Sequence, residues 1–177
     1  VDTGFTTLVL PDNITGIGEE SFSNCSKLQS LTVNAHMGST KSFKSCTNLT
    51  TLVIGGGNTS IPAYVFEDCT SLNSVTFNEE LKEIGSYSFD NTGLTKINIP
   101  SNIISINDYA FANSKLEEVD IPVTVLTVGG NAFAHNENLL KATIRAQYNG
   151  NYLFSSCTKL KEVYLEEGIE KIQNGMF

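Results

Sequence analysis

The chain has 177 residues, 40% of them hydrophobic, and a formal net charge of −8. That is enough apolar content for a substantial core, and the acidic balance argues against nucleic acid or anionic membrane as main partners, because both are recognised through clustered Lys and Arg. No apolar run approaches the roughly 18 residues of a membrane span, and no charged-then-apolar signal segment stands at the start, so this segment is not expected to insert in a membrane.

From the N-terminus, the first predicted element is a short strand carrying Thr7 and Val9 on one face and closed by Pro11, where a missing backbone donor ends a ladder at little cost. Phe22 then opens a series. Phe22, Phe43, Phe66, Phe89, Phe111, Phe133, Phe154 and Phe177 fall at intervals of 21, 23, 23, 22, 22, 21 and 23 residues, so eight of the ten phenylalanines mark one period. A period of this length denotes a small unit that cannot bury its own apolar side and must stack on copies of itself. The chain 1–177 is therefore expected to be a single array of about eight units of 21–23 residues. Because it begins part-way through a unit without Met and stops at the Phe that would open another, it reads as part of something longer.

Within each unit the same columns recur. Phe66, Cys69, Leu72, Val75 and Phe77 show the pattern, as do Phe154, Cys157, Leu160, Val163 and Leu165. Its end alternates with period two and is rich in β-branched residues, which predicts a short strand with one buried face. Strands one unit apart are expected to lie parallel, about 4.8 Å apart, in one continuous sheet. A second apolar pair forms the return leg: Leu81 and Ile84, Ile103 and Ile106, Val125 and Val128, Ile169 and Ile172. Gly18, Gly85, Gly129 and Gly130 suit its bends. The stretches Asn34 to Ser42 and Arg145 to Leu153 lack that pair, and Met37 and Tyr148 are the side chains available to fill the gap.

These columns, F-x-x-C-x-x-L-x-x-V-x-I-P-x-x-I-x-x-I-G-x-x-A-F in consensus, resemble the leucine-rich repeats of the BspA-like surface proteins of bacteria and some parasitic protists, a type also found in treponemes. The resemblance runs from Phe5 to Phe177. It implies a right-handed leucine-rich-repeat solenoid, with a parallel β-sheet on one face and short turns, 3-10 or strand segments on the other. It also implies a secreted or cell-surface protein, extracellular in location, that binds a host or neighbouring-cell protein, for instance a matrix or cell-surface component.

Cys25, Cys46, Cys69 and Cys157 share one column, which Thr92, Ser114 and Asn136 occupy in the units between. Interchange with small polar residues predicts a structural corner role with reduced, buried thiols. Zinc would need close pairs such as C-x-x-C, and none occur. Catalytic patterns are poor. Ser156 and Lys159 match S-x-x-K but sit in a repeated turn without companion motifs. His36 and His135 stand in different units without spaced partners. Gly55, Gly56 and Gly57 lack the Lys-Ser/Thr of a phosphate loop. No enzymatic activity, metal or cofactor is expected. Sequons stand at Asn13, Asn24, Asn48 and Asn58, and the repeat itself favours Asn near Ser or Thr.

The free strand positions are the informative surface. One column reads Thr7, Ser30, Thr51, Ser74, Lys96, Glu118, Lys141, Glu162, and the next reads Val9, Thr32, Val53, Thr76, Asn98, Asp120, Thr143, Tyr164. The first half of this face is small and nearly neutral, while the second is charged with one aromatic. Lysines flanking glutamates at one strand spacing are expected to form exposed ion pairs worth about 0–1 kcal/mol each. The candidate ligand-binding set is Lys96, Asn98, Glu118, Asp120, Lys141, Arg145, Glu162 and Tyr164. The other reading of the array is a passive spacer that displays a different domain.

Overall fold

The computed structural model describes residues 4–177; the first three residues of the expected array lie outside the described residues. Eleven short strands follow in chain order: β1 (Thr7–Leu10), β2 (Ser30–Val33), β3 (Thr51–Ile54), β4 (Ser60–Ile61), β5 (Ser74–Thr76), β6 (Glu83–Ile84), β7 (Ser105–Ile106), β8 (Glu118–Ile121), β9 (Thr127–Val128), β10 (Lys141–Ile144) and β11 (Glu162–Leu165). The described residues contain no helix. All strand pairs are parallel and each joins one turn to the next, as in a β-solenoid.

Local sequence explains the inward and outward faces. In β3, Leu52 and Ile54 point into the core while Thr51 and Val53 face out, which follows from the two-residue side-chain period of a strand. Pairing by a whole unit then sets like on like: Leu31 opposite Leu52 opposite Val75. The return legs β4, β6, β7 and β9 build a smaller sheet of their own, whose inward residues Ile61, Ile84, Ile106 and Val128 are buried.

Between the two sheets runs the phenylalanine column. From Phe22 to Phe177 each ring stacks on the next, with centroids 5.2 to 6.4 Å apart. Six of these side chains, Phe43 to Phe154, are among the largest fully buried ones. Met37 and Tyr148 are buried in the two stretches that lack the second apolar pair, so one long side chain does the work of two.

The corner after each Phe is closed by the cysteine column. Cys46, Cys69 and Cys157 each donate through Sγ to the carbonyl of the Phe one turn earlier, Phe22, Phe43 and Phe133, at 3.2 to 3.3 Å. Ser114 Oγ and Asn136 Nδ2 make the same bond to Phe89 and Phe111 at 3.1 and 2.9 Å. Any compact donor serves, which is why the residue types interchange. Asn58, a sequon position, is likewise structural: it is fully buried, with Nδ2 donating to Val33 and Gly55 carbonyls and Oδ1 accepting from the Met37 amide.

Two left-handed positions flank every corner. Two residues after Phe stand Asn24, Ser45, Asp68, Asn91, Asn113, His135 and Ser156, mostly types that tolerate positive φ through local hydrogen bonding. Two residues before Phe stand Glu20, Lys41, Tyr64, Tyr87, Tyr109, Asn131 and Tyr152, also at positive φ. For a bulky ring that conformation is an outlier.

The expected continuous sheet is broken. One piece has the order β1-β2-β3-β5 and the other β8-β10-β11, and residues 95–99 between them belong to neither. Leu72 follows Phe66 by six residues, whereas Leu94 follows Phe89 and Leu116 follows Phe111 by five, and the second of these short corners still leads into the full strand β8. Gly93 lies close against the preceding corner, where a Cβ would meet the Thr70 carbonyl oxygen at 2.7 Å. Lys115 and Glu117 still donate to the carbonyls of Leu94 and Thr95, but no backbone hydrogen bond reaches Lys96 to Ile99 from either side among the described residues. Core-facing Val75 and Ile97 are consequently only half-buried, whereas Leu52 and Val119 are 0% and 3% exposed.

Candidate functional site

The candidate set lies where the ladder opens. Glu118 and Asp120 stand on β8, Lys141 on β10, and Glu162 and Tyr164 on β11. Register places Lys141 beside both Glu118 and Glu162, and Thr143 beside both Asp120 and Tyr164, as the columns anticipate. Lys96 and Asn98 depart from the expectation: they occupy the unpaired stretch rather than a strand. Arg145 follows β10 directly.

The expected lysine–glutamate ion pairs do not form. Among the described residues no ion pair joins Lys141 to Glu118 or Glu162. Instead the Lys141 ammonium lies 5.2 Å from the centroid of the Tyr164 ring, whose hydroxyl donates to Glu162 at 3.1 Å. A cation over an aromatic face gains about 0.5–1 kcal/mol at an exposed site, comparable to the surface ion pair it replaces. The salt bridges belong to Arg145, which meets Asp120 through Nε at 3.0 Å and Nη2 at 3.3 Å and reaches Glu166 through Nη1. The planar guanidinium fork can satisfy two carboxylates at once, which an ammonium on its flexible stem does less well. These carboxylates hold the Arg145 pKa above its ordinary value, the hydrogen-bonded Asp120 contributing most.

Two shallow clefts follow the broken ladder. Lys96, Ile97, Glu118, Asp120, Lys141 and Thr143 bound one of about 230 Å³. Asn98, Ser101, Asp120, Pro122, Val123 and Arg145 are among the residues that bound another of about 240 Å³. Lys96, Asn98 and Glu118 are exposed, and no side-chain hydrogen bond or ion pair engages them among the described residues. The neutral half of the same face, Ser30, Thr51, Ser74 and their neighbours, keeps a closed ladder.

The residues screened for chemistry are dispersed. Ser156 sits at the left-handed corner position, Lys159 donates to Asn138 at 2.8 Å, and His36 and His135 are exposed in different turns. No cluster of three His, Cys, Asp or Glu suited to a metal occurs among the described residues, and they include no helix long and apolar enough to cross a membrane. One aromatic group escaped the strand-based reading: Tyr64, Tyr87 and Tyr109 stack in parallel, 4.9 and 4.6 Å apart, at the corner before Phe. Its signal was the recurrence of Tyr two residues before Phe66, Phe89, Phe111 and Phe154.

Comparison with known proteins agrees with this geometry. The pattern of the BspA type leucine rich repeat region, in six copies, matches residues 2–114, 36–148 and 82–177. No curated protein matches the chain. Among solved structures, a leucine-rich repeat protein from Bacteroides ovatus superimposes with a TM-score of 0.89 at 23% identity, over 98% of this chain and 46% of its own. The T. pallidum leucine rich repeat protein gives 0.79 at 24% identity, over 90% of this chain and 79% of its own. A leucine rich cell surface protein from Faecalibacterium prausnitzii gives 0.65 at 20% identity, over 92% of this chain and 60% of its own. The chain thus spans less than half the length of the B. ovatus protein.

Proposed function

The chain belongs to the BspA type leucine-rich repeat family, and we propose that it is a non-enzymatic binding module of a cell-surface or secreted adhesin that takes a protein ligand on the charged half of its strand face. The carrying observation is the open ladder at Lys96 to Ile99. Unpaired backbone donors and acceptors, the half-buried Ile97 and charges of both signs converge there. An extended segment of a partner protein could pair with such backbone while its side chains meet Lys96, Glu118 and Lys141. A solenoid suits this role because outward strand residues vary without disturbing the stack. The likeness to a cell surface protein supports the location.

The test uses beads coated with the protein and measures their attachment to intact host cells and to immobilised extracellular-matrix proteins. Lys96→Glu with Lys141→Glu, or Tyr164→Ala, should lower attachment about tenfold. Glu83→Ala on the opposite sheet should leave it unchanged. Equal attachment by all variants would favour a passive spacer.

A further inference from the structure

We propose that a third cleft, on the corner face beside Tyr152 and away from the strand face, binds a neutral saccharide. Of the eight residues two places before Phe22 to Phe177, four are Tyr, and all eight hold positive φ, a conformation that disfavours a bulky side chain. Tyr64, Tyr87 and Tyr109 recover stabilisation by stacking on one another. Tyr152 does not: φ is 59°, the residue is 50% exposed, and among the described residues its ring stacks on no other aromatic ring. The left-handed backbone recurs at every turn, and what sets Tyr152 apart from the other tyrosines is an exposed ring without an aromatic neighbour.

That side chain lines a shallow, open hollow of about 380 Å³. Asp108, Asn131, Asn149 and Asn151 line it too, over a floor of glycines where the backbone of successive turns is bare. Gly175 keeps the far side of the Tyr152 ring in place, since a Cβ there would collide with the ring. Asn131, short where the three preceding turns carry Tyr, leaves room beside it. Asp108 spends one oxygen on the Gly130 amide at 2.7 Å, and no hydrogen bond occupies the carboxamides of Asn131, Asn149 and Asn151 among the described residues.

The chemistry of this set selects the ligand class. Three carboxamides and a carboxylate offer paired donors and acceptors suited to vicinal hydroxyls, and an aromatic ring offers a flat apolar surface for the C–H face of a pyranose. No Lys or Arg lines the cleft, so sulfated, phosphorylated or acidic sugars gain nothing there. One carboxylate is too few for a dedicated calcium site.

Lactose, maltose and chitobiose, with sialyllactose as the charged comparator, are titrated into the protein by calorimetry and saturation-transfer NMR. At least one neutral disaccharide should saturate, and Tyr152→Asn should weaken it about tenfold with thermal stability kept, because Asn suits positive φ and already occupies position 131. Asn149→Ala, at an exposed position, should weaken it about threefold. The proposal fails if no neutral disaccharide saturates by about 50 mM, if Tyr152→Asn binds within about twofold of the parent, or if sialyllactose binds more tightly than lactose.

Discussion

Phe89 and Phe111, one unit apart in sequence, stack with ring centroids 5.3 Å apart and planes 3° from parallel, both fully buried. Each ring serves as floor for one turn and ceiling for the next, so removing one opens a cavity that two turns share. Phe89→Ala or Phe111→Ala should therefore cost about 3–5 kcal/mol. Urea denaturation reads this out directly; a loss below about 1 kcal/mol would mean the turns collapse onto the gap.

Strain at the corner predicts opposite signs for one type of substitution. Lys41 holds φ at 56° and its 3.9 Å contact with Glu20 is an exposed pair of little value. Lys41→Gly should stabilise by about 0.5–1 kcal/mol, the relief of the left-handed backbone exceeding the added entropy of the unfolded chain. Tyr87→Gly relieves the same strain but loses two ring stacks, at 4.9 and 4.6 Å, each worth about 0.5–1.5 kcal/mol beyond its buried area. It should be net destabilising, and thermal melts of the two variants should shift in opposite directions.

Burial pushes the Asp90 carboxyl above its ordinary value, despite the hydrogen bond it accepts from Asn113 at 2.8 Å. The folded state therefore binds this proton more tightly than the unfolded state, so the group weakens stability as pH rises through its folded pKa and ceases to do so below its unfolded value. Asp90→Asn should stabilise at pH 7 and lose that advantage in acid. Denaturation midpoints across pH 3–7 measure it, and a variant that is less stable at neutral pH would contradict the sign.

Burial also pushes the Cys157 thiol up to about 11. In a variant whose other cysteines are changed to Ser, the residue the column itself carries at Ser114, alkylation of native protein at pH 8 should run roughly a hundredfold slower than in denaturant. Its rate should climb with pH toward 11. Comparable native and denatured rates would place the thiol at the surface.

The repeat, the strand positions, the inward columns and the filling roles of Met37 and Tyr148 were legible in the sequence because each depends on which side chains recur at which spacing. A stack of near-identical turns converts that spacing into contact one turn away. Three features needed the tertiary structure. The ladder opens at Lys96 although the Phe89 and Phe111 corners have the same length, so no spacing in the columns marks the break and only the way adjacent turns close on each other decides it. Arg145 rather than Lys141 carries the ion pairs because side-chain reach and planarity, not column order, select partners. Tyr152 stands alone because Asn131 interrupts the corner column, and whether a ring has a neighbour is settled only when turns are set on top of one another.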